Sequence, residues 1–209
     1  MQANKKVYHK GNVRENLVRA AEDVLQEEGL AALSLRRIAR EVGVAPSAVY
    51  NHFENREALL ASVAADGYRA ITNLELTAYN SSDAPHIVVR RLVLDYLQFA
   101  ARNPELYRLM FSAEMVAYRS NPELDEAGDS SFGLSVNWWY GEGTYDSSKS
   151  ATEYPLALSI WSFLHGICSL IIDGLVTIDL EDRAAVDALG DSMISLYLAG
   201  AGENLPKNT

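Results

Sequence analysis

The chain has 209 residues, of which 48% are hydrophobic and 22% charged, and its 18 basic and 28 acidic side chains give a net charge of -10. That length holds one or two domains, and that composition is ordinary for a soluble globular protein. Taken whole, the acidity argues against a nucleic acid partner, and a lone cysteine, Cys168, excludes a disulfide within the chain and fits a reducing cytoplasm.

The acidity is uneven. Residues 1–56 carry nine basic and seven acidic side chains, whereas residues 57–209 carry nine and twenty-one. A mildly basic head on an acidic body suggests that one end meets phosphate. The opening MQANKKVYHKGN has lysines but no apolar run, so no signal peptide is expected.

Apolar residues recur at three and four almost throughout, which predicts an all-α fold. Asn12 followed by Glu15 reads as a capping box. It opens a helix whose apolar face holds Leu17, Ala20, Ala21, Val24 and Leu25 and which stops at Gly29. Ser34 is positioned to cap a short second helix, LRRIAREV, ended by Gly43. Pro46 suits the first turn of a third, PSAVYNHF. Asn55 is placed to cap a long fourth helix through EALLASVAADGYRAITNLEL.

Pro85 opens an amphipathic stretch carrying Ile87, Leu92, Leu94, Tyr96, Leu97 and Phe99. NPEL then occurs at 103–106 and 121–124, each a helix-start signal with Asn as cap and Pro at the first helical position. Residues 125–150, rich in Gly, Ser and Asp, read as a loop. Residues 155–178 are apolar nearly all round. Pro155, His165 and Asp173, and the absence of flanking Lys or Arg clusters, favour a core or interface helix over a membrane span. Asp179 is positioned to cap a last helix with Val186, Leu189, Met193, Leu196 and Leu198, and the tail from Gly200 is polar.

The informative stretch is LRRIAREVGVAPSAVYNHF, residues 35–53. A helix-turn-helix needs a small side chain where its helices cross, and Ala39 supplies it. Its turn needs a residue tolerant of positive φ, and Gly43 supplies that. Ile38, Val42, Val44 and Val49 form the apolar seam, and Phe53 closes the second helix against the first long one. The remaining face carries Arg36, Arg37, Arg40, Ser47, Tyr50, Asn51 and His52, donors suited to phosphate oxygens and base edges.

These residues, with Gly29, Ser34-Leu35 and Glu57-Ala58-Leu59-Leu60 in their places, make the first sixty positions resemble the N-terminal domain of TetR-family transcriptional repressors. The resemblance implies a three-helix DNA-binding domain over 1–56 and a helical ligand-binding and dimerisation domain over 57–209. It implies that Tyr50, His52 and Arg56 touch the phosphate backbone, that Ser34 offers its hydroxyl or its helix N-terminus to a phosphate, and that Arg36, Pro46, Ser47, Ala48 and Asn51 lie where bases are met. Glu54 departs from what phosphate favours and is expected to point away. Trp161, His165 and Gly166 form a W-x-x-x-H-G signature that resembles one subgroup of the family's ligand domains. Trp161 and His165 share a helix face, and they either line a ligand cavity or pack in the core.

The function expected is a cytoplasmic repressor, not an enzyme, bound as a homodimer to a pseudo-palindromic operator and released by a small, largely apolar effector. Candidate effector contacts are Tyr96, Phe99, Met110, Phe111, Met115, Tyr118, Trp161 and His165. Candidate dimer contacts on the last two helices are Ile160, Leu164, Ile167, Ile171, Leu189, Met193 and Leu196. The small Ser159, Ser162, Gly166 and Ser169 would permit close approach. No cofactor and no metal is expected, since His165 and Cys168 lack a third ligand at useful spacing. Trp138-Trp139-Tyr140 reads either as a pocket lid or partner surface or as packing onto the body. Two other readings are a helical enzyme or binding protein with a vestigial motif, and a DNA binder without an effector.

Overall fold

The computed structural model describes residues 12–79, 82–179 and 182–201. His9, the side chain of Leu198 and the tail beyond 201 lie outside the described residues. All regular structure among the described residues is helical: α1 (Val13–Glu28), α2 (Leu35–Val42), α3 (Pro46–Val49), α4 (Arg56–Tyr79), α5 (Pro85–Arg102), α6 (Pro104–Met110), α7 (Ala113–Ala117), α8 (Pro122–Tyr140), α9 (Pro155–Ile172) and α10 (Arg183–Ala201), with single 3-10 turns at 30–32 and 151–153.

The chain divides into two compact units. The first takes the residues up to Gly67 together with Glu105–Asp125, and the second takes Tyr68–Pro104 and the residues from Glu126 onward. The start of α4 and the segment of α6, α7 and the first turn of α8 group with the N-terminal helices.

In the first unit the expected face of α1 is buried, from Leu17 to Leu25. Its start differs from expectation, because Asn12 accepts no N–H on its side chain and only its carbonyl takes the Asn16 N–H. Ser34 Oγ caps α2 through Arg37 N–H. Gly43 ends it at φ 78, with the Val44 N–H returning to Ala39 O and its own to Arg40 O. That bonding pair is a Schellman stop, in which a side chain at the left-handed position costs about 1–2 kcal/mol. Asn55 Oδ1 caps α4 at 2.7 Å from Ala58 N.

In the second unit α5 packs against both α9 and α10. Residues 122–140 are one helix rather than loop. The glycines that suggested a loop have a packing reason. A Cβ at Gly133 would stand 2.6 Å from the ring of Tyr145. Tyr145 donates its hydroxyl to Asp129 and its N–H to Asn137 Oδ1. Asp129, Gly133 and Asn137 are four apart, so one stripe of α8 receives the whole residue. Tyr154 then holds the following turn, its hydroxyl accepting the Asp146 N–H at 3.0 Å. Asn121 caps α8 as expected, accepting from Leu124 N at 3.1 Å. At the other NPEL the Asn103 amide donates back to Phe99 O. The cap of α10 is Asp182, not Asp179, and it accepts from Ala184 and Ala185.

Candidate functional site

Two side chains set the aim of the recognition segment. Val49 and Phe53 are four apart and both buried, so they fix the rotation of residues 46–53 about their axis. α3 is regular only over Pro46–Val49. The segment then tightens, with Asn51 N–H bonded to Ala48 O and His52 N–H to Val49 O. The expected eight-residue helix is thus one α turn followed by a tighter one. Phe53 is closed from outside by the Arg14 guanidinium of α1, 5.2 Å from its ring centroid, a cation–π contact.

The opposite side of the segment faces out. Pro46, Ser47, Tyr50, Asn51 and His52 are exposed and Ala48 half-buried. Tyr50 keeps 56% of its surface. On α2, Leu35, Ile38 and Ala39 are buried, which leaves Arg36 and Arg40, one turn apart, exposed beside Ser34. A surface of two guanidiniums, three hydroxyls, an amide and an imidazole suits phosphate oxygens and base edges.

Two arginines read from sequence as donors, Arg37 and Arg56, are engaged within the first unit. Arg37 forms a two-pronged pair with Glu28 at the end of α1, and that hydrogen bond holds the Glu28 carboxyl below its usual range. Arg56 donates from Nε to Leu33 O, from Nη2 to Leu30 O and from Nη1 to Glu114 Oε1, each at 3.0 Å. Its fork thereby satisfies the carbonyls of the 3-10 turn and a carboxylate of α7. A second junction joins α1, α4 and α8. There Arg14 bonds Ser62 and Glu123, and Ser62 Oγ donates to Glu123 at 2.6 Å.

The eight candidate effector residues fall into both units. Met110, Phe111, Met115 and Tyr118 lie in the first, where Met110 and Met115 are buried in the core. Tyr96, Phe99, Trp161 and His165 lie in the second. Tyr96 is buried there, while the other three keep accessible surface. Trp161 stands 5.8 Å from Phe132 of α8, which joins Tyr145 and Tyr154 in one aromatic cluster. Burial holds the His165 imidazole below its usual pKa and so favours its neutral form. Sequence reasoning missed Phe132, and it missed Glu75 on α4, whose carboxyl burial pushes up to about 8.

The predicted dimer residues divide by helix. Ile160, Leu164 and Ile167 are turned into their own unit and buried there. The outward stripe of α9 is instead Ser159, Phe163, Gly166 and Leu170, and a Cβ at Gly166 would meet open space. Ile171 is half-buried. On α10 the inward residues are Val186, Gly190 and Ile194, which leaves Leu189 and Met193 partly exposed and Leu196 76% exposed.

Residues 17–63 match the family described as bacterial regulatory proteins, tetR family, and residues 89–197 match the tetracyclin repressor-like C-terminal domain. Solved structures agree. A Rhodococcus sp. RHA1 protein of unknown function is 28% identical over 90% of this chain and 96% of its own, with a TM-score of 0.67. The fatty acid degradation regulator FadR from Bacillus halodurans is 18% identical over 91% and 97%, with a TM-score of 0.65. The ketosteroid transcriptional regulator KstR2 of Mycobacterium tuberculosis is 14% identical over 97% and 100%, with a TM-score of 0.55. The chain belongs to the TetR family, and it is a DNA-binding transcriptional regulator rather than an enzyme.

Proposed function

We propose that the protein is a homodimeric repressor that leaves a pseudo-palindromic operator when a small, largely apolar effector binds. The observation that carries the DNA half is the exposed donor face held over the buried Val49–Phe53 pair. In this reading Tyr50 and His52 bond phosphate, Ser34 and the start of α2 receive another, and Arg36 and Asn51 read base edges. Pro46, Ser47 and Ala48 let the backbone approach the groove. With so few base-reading side chains, DNA shape contributes much of the specificity. Arg56 acts by holding the head together rather than by touching phosphate.

Support for the homodimer comes from α9. It is long and apolar enough to cross a membrane by length and composition, yet only 28% of it is buried in one chain. A second copy laid on Ser159, Phe163, Gly166 and Leu170, and on Leu189, Met193 and Leu196 of α10, covers that face as a four-helix interface. We place the effector in the second unit, against Phe99, Trp161 and His165. Its binding biases the dimer toward a spacing that no longer matches half-sites roughly 34–36 Å apart.

Titration onto the DNA upstream of the coding region, at several salt concentrations, tests the reading. Several phosphate contacts predict a steep linear fall of log affinity with log salt. Absence of binding to any promoter fragment at low salt removes the proposal.

A further inference from the structure

The second half of α4 and the middle of α8 lay a short polar row into an otherwise apolar layer of the second unit. Ser131 Oγ donates to Glu75 Oε2 at 3.1 Å. One turn further on, Ser135 is hydrogen-bonded to Tyr79. Glu75 and Tyr79 are four apart, as are Ser131 and Ser135, so the two helices meet as matched rows. Ser131 and Ser135 are buried, and the Tyr79 ring stacks on Trp138 with centroids 5.0 Å apart. Among the described residues Glu75 has this one hydroxyl partner and no cation. A carboxylate sunk in protein without a cation is costly and is retained only for a reason.

Glu75 and Tyr79 lie deep, with protein on nearly every side. Both nevertheless keep accessible surface, as do Phe132 and Trp138. Glu75 and the stacked Tyr79–Trp138 pair thus combine a deep position with surface still accessible, and they set one potential negative charge beside aromatic faces.

Resting on the effector-responsive reading above, we infer that Glu75 anchors the effector and that the effector is a lipophilic amine, bound as its cation with its apolar body running from Tyr79 and Trp138 toward Phe132 and Trp161, whose rings are 5.8 Å apart. The cation supplies the charge that Glu75 lacks, and the ring faces add cation–π attraction. An organic anion forms no such pair, since it cannot replace the proton that Glu75 carries. Without ligand Glu75 keeps its proton at neutral pH, its carboxyl being pushed up to about 8 by burial. When the amine binds with its own proton retained, the Glu75 proton passes to the buffer and the pair forms.

The test uses the full chain and three probes of one shape: 4-phenylbutylamine, 4-phenylbutanol and 4-phenylbutyrate. Affinity is read from tryptophan fluorescence, and proton release from calorimetry in two buffers of different ionisation enthalpy. The amine is expected to bind about tenfold or more tighter than the alcohol and to release protons at pH 7, with the acid weakest. Glu75→Gln is expected to erase both the amine preference and the proton release while the alcohol binds as before. Should that variant not fold, the amine-to-alcohol ratio and the proton count on the natural chain decide alone. Equal affinities, no proton release, or no binding of any probe at millimolar concentration overturns the inference. Operator release is scored separately. Tight amine binding without loss of DNA leaves the anchor standing and removes the effector-release reading. Release by the alcohol and not the amine does the reverse.

Discussion

Arg56 reaches from the first turn of α4 to Glu114 of α7, Nη1 to Oε1 at 3.0 Å, while its other donors hold the carbonyls of Leu30 and Leu33. One side chain thus joins the 3-10 turn after α1, the start of α4 and α7. A guanidinium so occupied has little left to offer phosphate.

Replacing Arg56 with Met is therefore expected to lower stability by about 1–3 kcal/mol, because carbonyls and a carboxylate lose their donors together. Thermal unfolding measures that loss. The salt dependence of DNA binding separates the two roles. Removing a phosphate contact lowers the slope by about 1, whereas the clamp role leaves the slope unchanged.

Tyr50 is the most exposed aromatic of the recognition segment. Tyr50→Phe removes one hydroxyl and leaves the packing of Val49 and Phe53 alone. We expect DNA affinity to fall by roughly threefold to tenfold, one net hydrogen bond, and by the same factor on every operator variant. A change in sequence preference would assign Tyr50 to a base instead.

The helix-turn-helix was legible because its requirements are local and joint. Ala39 at the crossing, Gly43 at the stop and Val49 with Phe53 beneath stand within fifteen residues, and each has one stereochemical reason to be there. The arginine partners were not legible. Glu28 lies nine residues from Arg37, and Glu114 lies fifty-eight from Arg56, so sequence showed donors without showing what they donate to. α8 was missed because Gly and Ser weaken the helical signal, while Gly133 exists to admit a ring from twelve residues on. The inward turn of Ile160, Leu164 and Ile167 was not legible because a helix apolar on all sides carries no phase. On α10, Asp191 and Ser195 mark the outside, and Leu189, Met193 and Leu196 keep accessible surface beside them. Glu75 is visible in sequence only as one acid on a long helix, and its loneliness is a property of the packing.

Glu22 offers a pH test in the first unit. Its carboxyl is raised to about 7, first by burial, then by Asp66 of α4 and Asp23, with Arg19 opposing. The folded state therefore keeps a proton that the unfolded state loses near 4.5. That contribution to stability is full below about pH 4.5 and is lost as pH rises through about 7. Glu22→Gln should match the natural chain near pH 4 and exceed it in melting temperature at pH 8. A difference that does not grow between those pH values contradicts the assignment.

The interface assignment predicts opposite outcomes on two faces of α9. Leu170→Glu places a charge on the outward stripe and is expected to weaken dimerisation roughly a hundredfold while helical content stays intact. Ile167→Glu buries the charge in its own unit and should unfold that unit. Sedimentation equilibrium and circular dichroism read the two results. A dimer that tolerates Leu170→Glu would move the interface elsewhere.

The most direct test of the central claim is selection of bound DNA from a random pool by the full chain, followed by footprinting of the enriched sequence. An inverted repeat occupied by one dimer is expected, with half-sites one helical turn apart and protection lost in a variant carrying Arg36→Ala and Asn51→Ala. Recovery of no enriched sequence, or of one bound equally well by that variant, would contradict it.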